Sequence, residues 1–171
     1  MADGTLKVGT ITTSSGSGDI TIPSGNGMTG HMYPAFQAYL SDDQTITDNT
    51  VVKINIDTED FDTDNCYDNT TNYRFTPNKA GKYFLNANIQ LVSSSNGNYY
   101  YVYIQKGSTL LARNLIRPGN SGSIYLDVNT VADLSDGDSV KVVVHFQNTE
   151  SVNRGTDGSK TYFLGYRLIG A

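Results

Sequence analysis

The residues best equipped for chemistry lie in one acidic run, which begins at Asp57 and ends at Asp68. Its carboxylates could bind a hard cation such as Ca²⁺, which takes several oxygen ligands at once. The spacing of an EF-hand is absent, because Asn65 and Thr71 stand where that loop, counted from Asp60, needs Gly and Glu. The pattern therefore favours a solvated acidic loop, and a cation site is the alternative.

A second candidate is the glycine-rich stretch from Gly25 to Gly30, whose spacing matches a dinucleotide-binding fingerprint. That mechanism needs a helix to begin directly afterwards, so that its N-terminus can hold the pyrophosphate. The residues that follow, His31 to Pro34, do not begin a helix. We therefore reject the match and predict no bound cofactor.

The remaining reactive side chains do not form a catalytic pattern. His31 and His145 are far apart in the sequence, and His145 is predicted to be a surface or interface residue of a strand. Cys66 lies beside acidic residues, which lack the positive charge that activates a thiol. Without a nucleophile and a base within one constellation, we predict that the protein is not an enzyme.

The tyrosines are more informative. Tyr99, Tyr101 and Tyr103 alternate with Val102 and Ile104, so they share one side of a predicted strand. They could pack between two sheets, or they could form a subunit interface, where tyrosine is enriched. A sugar-binding surface is the third alternative. We take the three tyrosines as candidates for a trimer interface.

The elements that position these residues are predicted to be strands. The clearest is the stretch 80–91, where Tyr83, Leu85, Ala87, Ile89 and Leu91 share one face and Phe84 breaks the polar pattern of the other. Short alternating segments recur up to residue 169, with no helical apolar period between them. We predict an all-β sandwich, jelly roll or barrel, with 80–91 as its central strand and 57–68 and 148–159 as loops.

Composition narrows the class of protein. The chain has 171 residues, 17 of them acidic and 12 basic, for a net charge of −5. This argues against a nucleic-acid partner, which would need a basic face. A single cysteine excludes an internal disulfide framework, and no apolar span of about 20 residues predicts membrane insertion. We expect synthesis in a cytoplasm.

The first 33 residues differ from the rest. They are rich in glycine and serine and hold too few apolar residues for a core. We predict an extended N-terminal arm over residues 1–33 and a folded domain over 34–171. The arm's apolar side chains are the candidate anchors to another protein, by strand addition. These are Leu6, Val8, Ile11, Ile20 and Ile22.

Over residues 34–171 the order of landmarks resembles the C1q/TNF-like jelly roll. The shared landmarks are Ala35-Phe36, Ala38-Tyr39-Leu40, Val52, Ile54, Asp57, Tyr67-Asp68, Arg74 to Pro77, Ala80-Gly81, Tyr83, Leu134, Gly137-Asp138, Val140, Phe163, Gly165-Tyr166 and Leu168. The resemblance implies a ten-stranded jelly-roll sandwich that assembles as a homotrimer. The collagen-like stalk of the animal members is missing.

The arm resembles another group. The sequence from Gly4 to Thr13, followed by a Ser-Gly break, is similar to N-terminal segments of tailed-bacteriophage virion proteins. Together the two resemblances imply a virion structural protein. We interpret the chain as a homotrimeric capsid decoration protein of a tailed phage, located on the virion, whose arm binds the major capsid protein. The alternative is the tip of a tail or head fibre that recognises a glycan of the host surface.

Overall fold

The computed structural model describes residues 34–93, 97–155 and 160–168. These residues form strands and no helix. The strands are β1 (Ala35–Tyr39), β2 (Gln44–Ile46), β3 (Val51–Lys53), β4 (Thr58–Asp62), β5 (Tyr67–Asp68), β6 (Arg74–Phe75), β7 (Gly81–Ser93), β8 (Tyr100–Lys106), β9 (Thr109–Ile116), β10 (Gly122–Leu134), β11 (Val140–Phe146), β12 (Glu150–Asn153) and β13 (Tyr162–Arg167).

The strands form two antiparallel sheets. One is seven-stranded, with the order β2-β12-β7-β13-β1-β4 and with β10 paired to β7. The other is six-stranded, with the order β5-β6-β11-β8-β9 and with β3 paired to β11. Neighbours in each sheet are mostly distant in sequence. Long connections therefore run between the sheets, as they do in Greek-key sandwiches.

The predicted central strand is confirmed as β7. It pairs with β10 along its whole length, from Gly81 opposite Leu134 to Ser93 opposite Gly122, and also with β12 and β13. Its apolar face is fully buried, and each side chain is 0% exposed. These side chains are Tyr83, Leu85, Ala87, Ile89 and Leu91. Period-two alternation places one set of residues in the core because successive side chains point to opposite faces.

The core lies between the two sheets and is rich in aromatic rings. Phe36 stacks on Tyr67 at 4.9 Å and on Phe75 at 4.6 Å between ring centroids, and it meets Phe163 edge-on at 5.0 Å. At the other end, Tyr100 from the six-stranded sheet donates a hydrogen bond of 3.1 Å to buried Glu150 of the other sheet. A buried polar group needs a hydrogen-bond partner, and Tyr100 supplies one to Glu150. Because the two residues belong to different sheets, the same bond joins the sheets.

Two glycines of the landmark motifs occupy positions where the geometry requires glycine. A Cβ at Gly165 would lie 2.8 Å from Leu85 Cδ2, 2.8 Å from Phe36 Cε1 and 3.2 Å from the Phe84 carbonyl oxygen. Gly81, at the start of β7, has a φ of +150°, which side-chain-bearing residues rarely adopt. These two glycines are therefore required where β13 packs against Leu85 and Phe36 and where the central strand begins.

Several predicted loops are wrong in detail. The stretch 57–68 contains β4 and β5, and 148–159 contains β12. β4 lies at the edge of the seven-stranded sheet, where Thr58, Glu59, Phe61 and Asp62 pair with β1. An edge strand with few buried side chains carries no alternating apolar pattern, so its sequence resembles a loop. Short strands such as these bring the described total to thirteen, against the ten that the resemblance implies.

Candidate interaction surfaces

The acidic run uses its carboxylates within the chain. Asp57 accepts hydrogen bonds of 2.9 and 2.8 Å from the Ser41 amide and hydroxyl. Asp62 accepts from the Tyr67 amide at 2.7 Å and from the Cys66 thiol at 3.2 Å. These bonds hold adjacent segments of the sandwich together. Within the described ranges, no three His, Cys, Asp or Glu side chains converge as a metal site requires.

Asp68 is a further carboxylate of the acidic run that forms hydrogen bonds within the chain. Its carboxylate accepts hydrogen bonds from the amides of Thr70, Thr71 and Asn72 and from the Asn72 side chain, at 2.7–3.1 Å. The hydrogen bond from the Thr71 amide, followed by those from Asn72 and Thr70, holds the pKa of this carboxyl well below its usual range. Asp68 therefore organises the turn that leads from β5 to β6.

Cys66 is buried, and its thiol has low reactivity. Burial raises the pKa of its thiol, and the hydrogen bond to Asp62 and the charges of Asp62 and Asp64 raise it further. The thiolate is the nucleophile, so this thiol is unreactive at neutral pH. Its burial and its hydrogen bond to Asp62 indicate a structural role for this cysteine.

The three candidate tyrosines lie together on the outer face of the six-stranded sheet. Tyr100, Val102 and Ile104 of β8 are 0% exposed and face the core, so their neighbours point outward. The centroids of Tyr99 and Tyr101 are 6.1 Å apart and those of Tyr101 and Tyr103 are 6.0 Å apart. The alternative in which these tyrosines pack between the sheets is therefore wrong. Their predicted place in a trimer interface stays a prediction.

His145 joins this row from the neighbouring strand. It lies directly opposite Tyr101, and the two ring centroids are 5.6 Å apart with planes only 15° from parallel. Its Nε2 lies 3.1 Å from the Asn49 side-chain oxygen. We call Tyr99, Tyr101, Tyr103 and His145 the aromatic row. The sequence places His145 on the outer side of its strand, but strand pairing is what brings it to the tyrosines.

A second surface, the outer face of the seven-stranded sheet, carries large apolar side chains. Phe84 lies opposite Tyr166 on one side and Val131 on the other, and its ring centroid is 5.3 Å from that of Tyr166. Tyr166 is 45% exposed and Val131 is 54% exposed. We call Phe84, Val131 and Tyr166 the apolar patch. Its signal in the sequence is a large apolar residue on the polar side of each strand.

Amides flank the apolar patch and complete this face. Asn86 and Asn88 follow Phe84 along β7, and Asn86 donates a hydrogen bond of 2.7 Å to Asp127 on β10. Tyr125, which is 51% exposed, lies opposite Gln90. Charged side chains also lie on this face, with Asp127 beside Asn86 and Lys82 opposite Asp133. An apolar centre with a polar rim is typical of protein interfaces. The face therefore has the chemistry of a surface that another protein covers.

The five candidate arm anchors, from Leu6 to Ile22, lie outside the described residues. The predicted boundary of the arm at residue 33 is likewise untested. Within the part of the chain that the structure describes, no helix is long and apolar enough to span a membrane.

Comparison with known proteins identifies the fold. A scan of protein-family models and a search of curated proteins found no match to the sequence. Among solved structures, the chain is similar to murine APRIL, with a TM-score of 0.59, 11% identity and 80% of this chain aligned to 100% of that one. It is similar to the Eiger TNF of S. frugiperda, with a TM-score of 0.55, 10% identity and coverage of 82% and 94%.

The globular domain of the zebrafish complement 1qA protein gives a TM-score of 0.55 at 15% identity, and covers 80% of this chain and 98% of that one. At such identities a likeness shows the fold alone. The predicted fold class is confirmed by these matches and by the two antiparallel sheets. The chain is an all-β protein with a C1q/TNF-like jelly-roll fold.

Proposed function

We propose that the protein is a homotrimeric, non-enzymatic structural component of a tailed-phage virion, a capsid decoration protein anchored through its N-terminal arm. The observation that carries the assembly part is the apolar patch on the outer face of the seven-stranded sheet. A monomer that keeps Phe84, Val131 and Tyr166 in water forgoes favourable burial, and such patches mark interaction sites.

We assign the trimer contact to this face rather than to the aromatic row. Val131, Tyr125 and Tyr166 are about half exposed, so each retains apolar surface for a partner to cover. The aromatic rings already cover one another at 5.6–6.1 Å between centroids. The fold supports the proposal as well, because a rigid sandwich with a face available for assembly can present three arms at once.

The anchoring part of the proposal rests on the sequence of the arm. Leu6 and Val8 alternate with polar residues and Ile11 follows three positions after Val8, which suits addition as a short extra strand to an exposed sheet edge. One such short strand binds weakly. Three arms on one trimer would bind with a combined strength that exceeds any single contact, because the second and third attach at high effective concentration.

The experiment uses capsids of the parent phage that lack this protein. The full chain should bind them, and a variant with Leu6, Val8 and Ile11 changed to serine should bind much less while keeping the same mass in solution. A matched control changes Thr5, Thr10 and Thr12 to serine, which leaves the apolar side chains of the arm intact. Equal capsid binding by all three proteins would refute anchoring through the arm.

The alternative, a fibre tip that recognises a host glycan, predicts a different result. In that case the chain would be found on tail or head fibres and would not bind the capsid shell. Immuno-electron microscopy of intact virions separates the two locations. The specific observation that favours glycan recognition is the aromatic row, and it is compatible with either location.

A further inference from the structure

The two sheets differ in charge although the chain as a whole is acidic. Seven acidic residues lie in the described strands, and six of them belong to the seven-stranded sheet, whose strands have only Lys82 and Arg167 as basic residues. The strands of the six-stranded sheet have the opposite balance, with Asp68 as their acidic residue. Their basic residues are Lys53, Arg74, Lys106, Arg113 and Lys141.

Within the ranges that the structure describes, four of these five basic side chains form no ion pair with a carboxylate. Lys106 pairs with Asp138 at 3.2 Å, at the end of its strand. Asp68 accepts hydrogen bonds from its own turn. Burial lowers the pKa of Lys53, and the nearby charges of Lys141 and Arg74 lower it further, against the opposing effect of Asp68. The outer face thus brings like charges together.

The aromatic row runs through the middle of this basic face. Arg113 lies opposite Tyr103 across β8 and β9 and is exposed. At the other end, the guanidinium carbon of Arg117 lies 5.2 Å from the centroid of Tyr99, and its Nε donates a hydrogen bond of 2.7 Å to the Gly97 carbonyl. Cations therefore stand at both ends of a continuous layer of near-parallel rings.

We propose that the outer face of the six-stranded sheet binds a polysaccharide that carries carboxylate groups. The outward edges of the rings in the aromatic row would contact the apolar faces of sugar rings, and the tyrosine hydroxyls would bond to sugar hydroxyls. Arg113, Arg117 and Lys141 would pair with the carboxylates. The arginine fork can bind a carboxylate through two parallel hydrogen bonds, which favours this anion.

Two features favour this ligand over the other partners. The cores of protein interfaces are depleted in lysine and other charges, whereas this face has them beside its rings. A nucleic acid requires dense neutralisation of phosphates, which a protein of net charge −5 with separated cations supplies poorly. A carboxylated sugar chain supplies both rings for the aromatic row and carboxylates for the cations at its two ends. This inference does not depend on arm anchoring or on capsid location.

The test uses the full chain with alginate as the carboxylated probe and dextran as the neutral one. We expect alginate to bind and dextran to bind at least tenfold more weakly. Tyr101→Ala should weaken alginate binding about tenfold, the upper range for one aromatic contact. Arg113→Gln should weaken it about threefold, as the loss of one exposed charge pair. Lys82→Gln, on the other sheet, is the matched control and should bind as the wild type does.

The outcomes are decisive in each direction. Arg113 is exposed and outward, so Arg113→Gln tests the proposal even if Tyr101→Ala folds poorly. Equal binding of alginate and dextran, or alginate binding that neither substitution weakens, would overturn it. Tighter binding of a single-stranded DNA oligonucleotide would assign the face to nucleic acid instead. A lower mass in solution for Arg113→Gln would assign it to subunit assembly.

Discussion

The substitution Val131→Asp tests the assembly face most sharply. Val131 is 54% exposed in one chain and lies opposite Phe84 at the centre of the apolar patch. Burying a whole valine side chain is worth about 1.5–3 kcal/mol, so the exposed half would contribute about 1 kcal/mol per copy. Three copies give about 3 kcal/mol, or about a 100-fold change in the association constant.

Aspartate should cost more than this loss. Its carboxylate would be buried in the interface without a partner, and an unpaired buried charge is strongly unfavourable. We therefore expect Val131→Asp to be a monomer at micromolar concentration, by sedimentation velocity. The single chain should unfold at nearly the wild-type denaturant concentration once assembly is allowed for, because Val131 faces outward.

The matched control is Val51→Asp. Val51 is 64% exposed on the outer face of the six-stranded sheet, where it lies opposite His145. This variant should keep the wild-type mass. The reasoning would be refuted if Val51→Asp dissociated the assembly while Val131→Asp did not, because the contact would then lie on the other sheet.

Three further predictions concern the folded domain. Gly165→Ala should lower the free energy of unfolding by about 1–3 kcal/mol in urea titrations, because its Cβ would lie 2.8 Å from Leu85 and Phe36. The control is Gly119→Ala, because a Cβ there would have no atom within 4 Å. Equal stability of the two variants would contradict the packing described for Gly165. Tyr100→Phe should lower the free energy of unfolding by about 1–3 kcal/mol, because it removes a hydrogen-bond donor to buried Glu150. The control is Tyr125→Phe, at an exposed tyrosine, which should change the stability little. If Tyr100→Phe left the stability unchanged, the hydrogen bond would not contribute to it. The free energy of unfolding should fall as the pH rises from about 10 to about 12. Burial raises the pKa of Tyr83 to about 12, whereas a tyrosine in the unfolded chain ionises near 10.0. A free energy of unfolding that stayed constant over this pH range in chemical denaturation would contradict the prediction.

Sequence patterns predicted the parts of the fold in which one strand face is buried. The stretch that forms β7 has an apolar residue at every inward-facing position from Tyr83 to Leu91, and β8 and β11 bury alternate residues such as Val102 and Val144. Strands at the sheet edges, β4 and β9, were missed, because they bury little and so leave no apolar period.

The surfaces were only partly predictable. Alternation established that Tyr99, Tyr101 and Tyr103 share a side, but not whether that side met the other sheet or solvent. That depends on which strands pair, and pairing is a long-range property. The spacing of the acidic run differs from that of an EF-hand loop, but its hydrogen bonds to Ser41 and Tyr67 depend on tertiary contacts that local spacing does not contain. Of the apolar patch, the sequence analysis identified only Phe84, as an exception to its strand's pattern.

The mass of the intact chain in solution tests the central claim, assembly into a homotrimer, most directly. One chain has a mass of 18.6 kDa. Sedimentation equilibrium at micromolar concentration should give three times that mass, with no larger species. A mass of 18.6 kDa across the whole concentration range would contradict the account, because the apolar patch would then face water in the native protein.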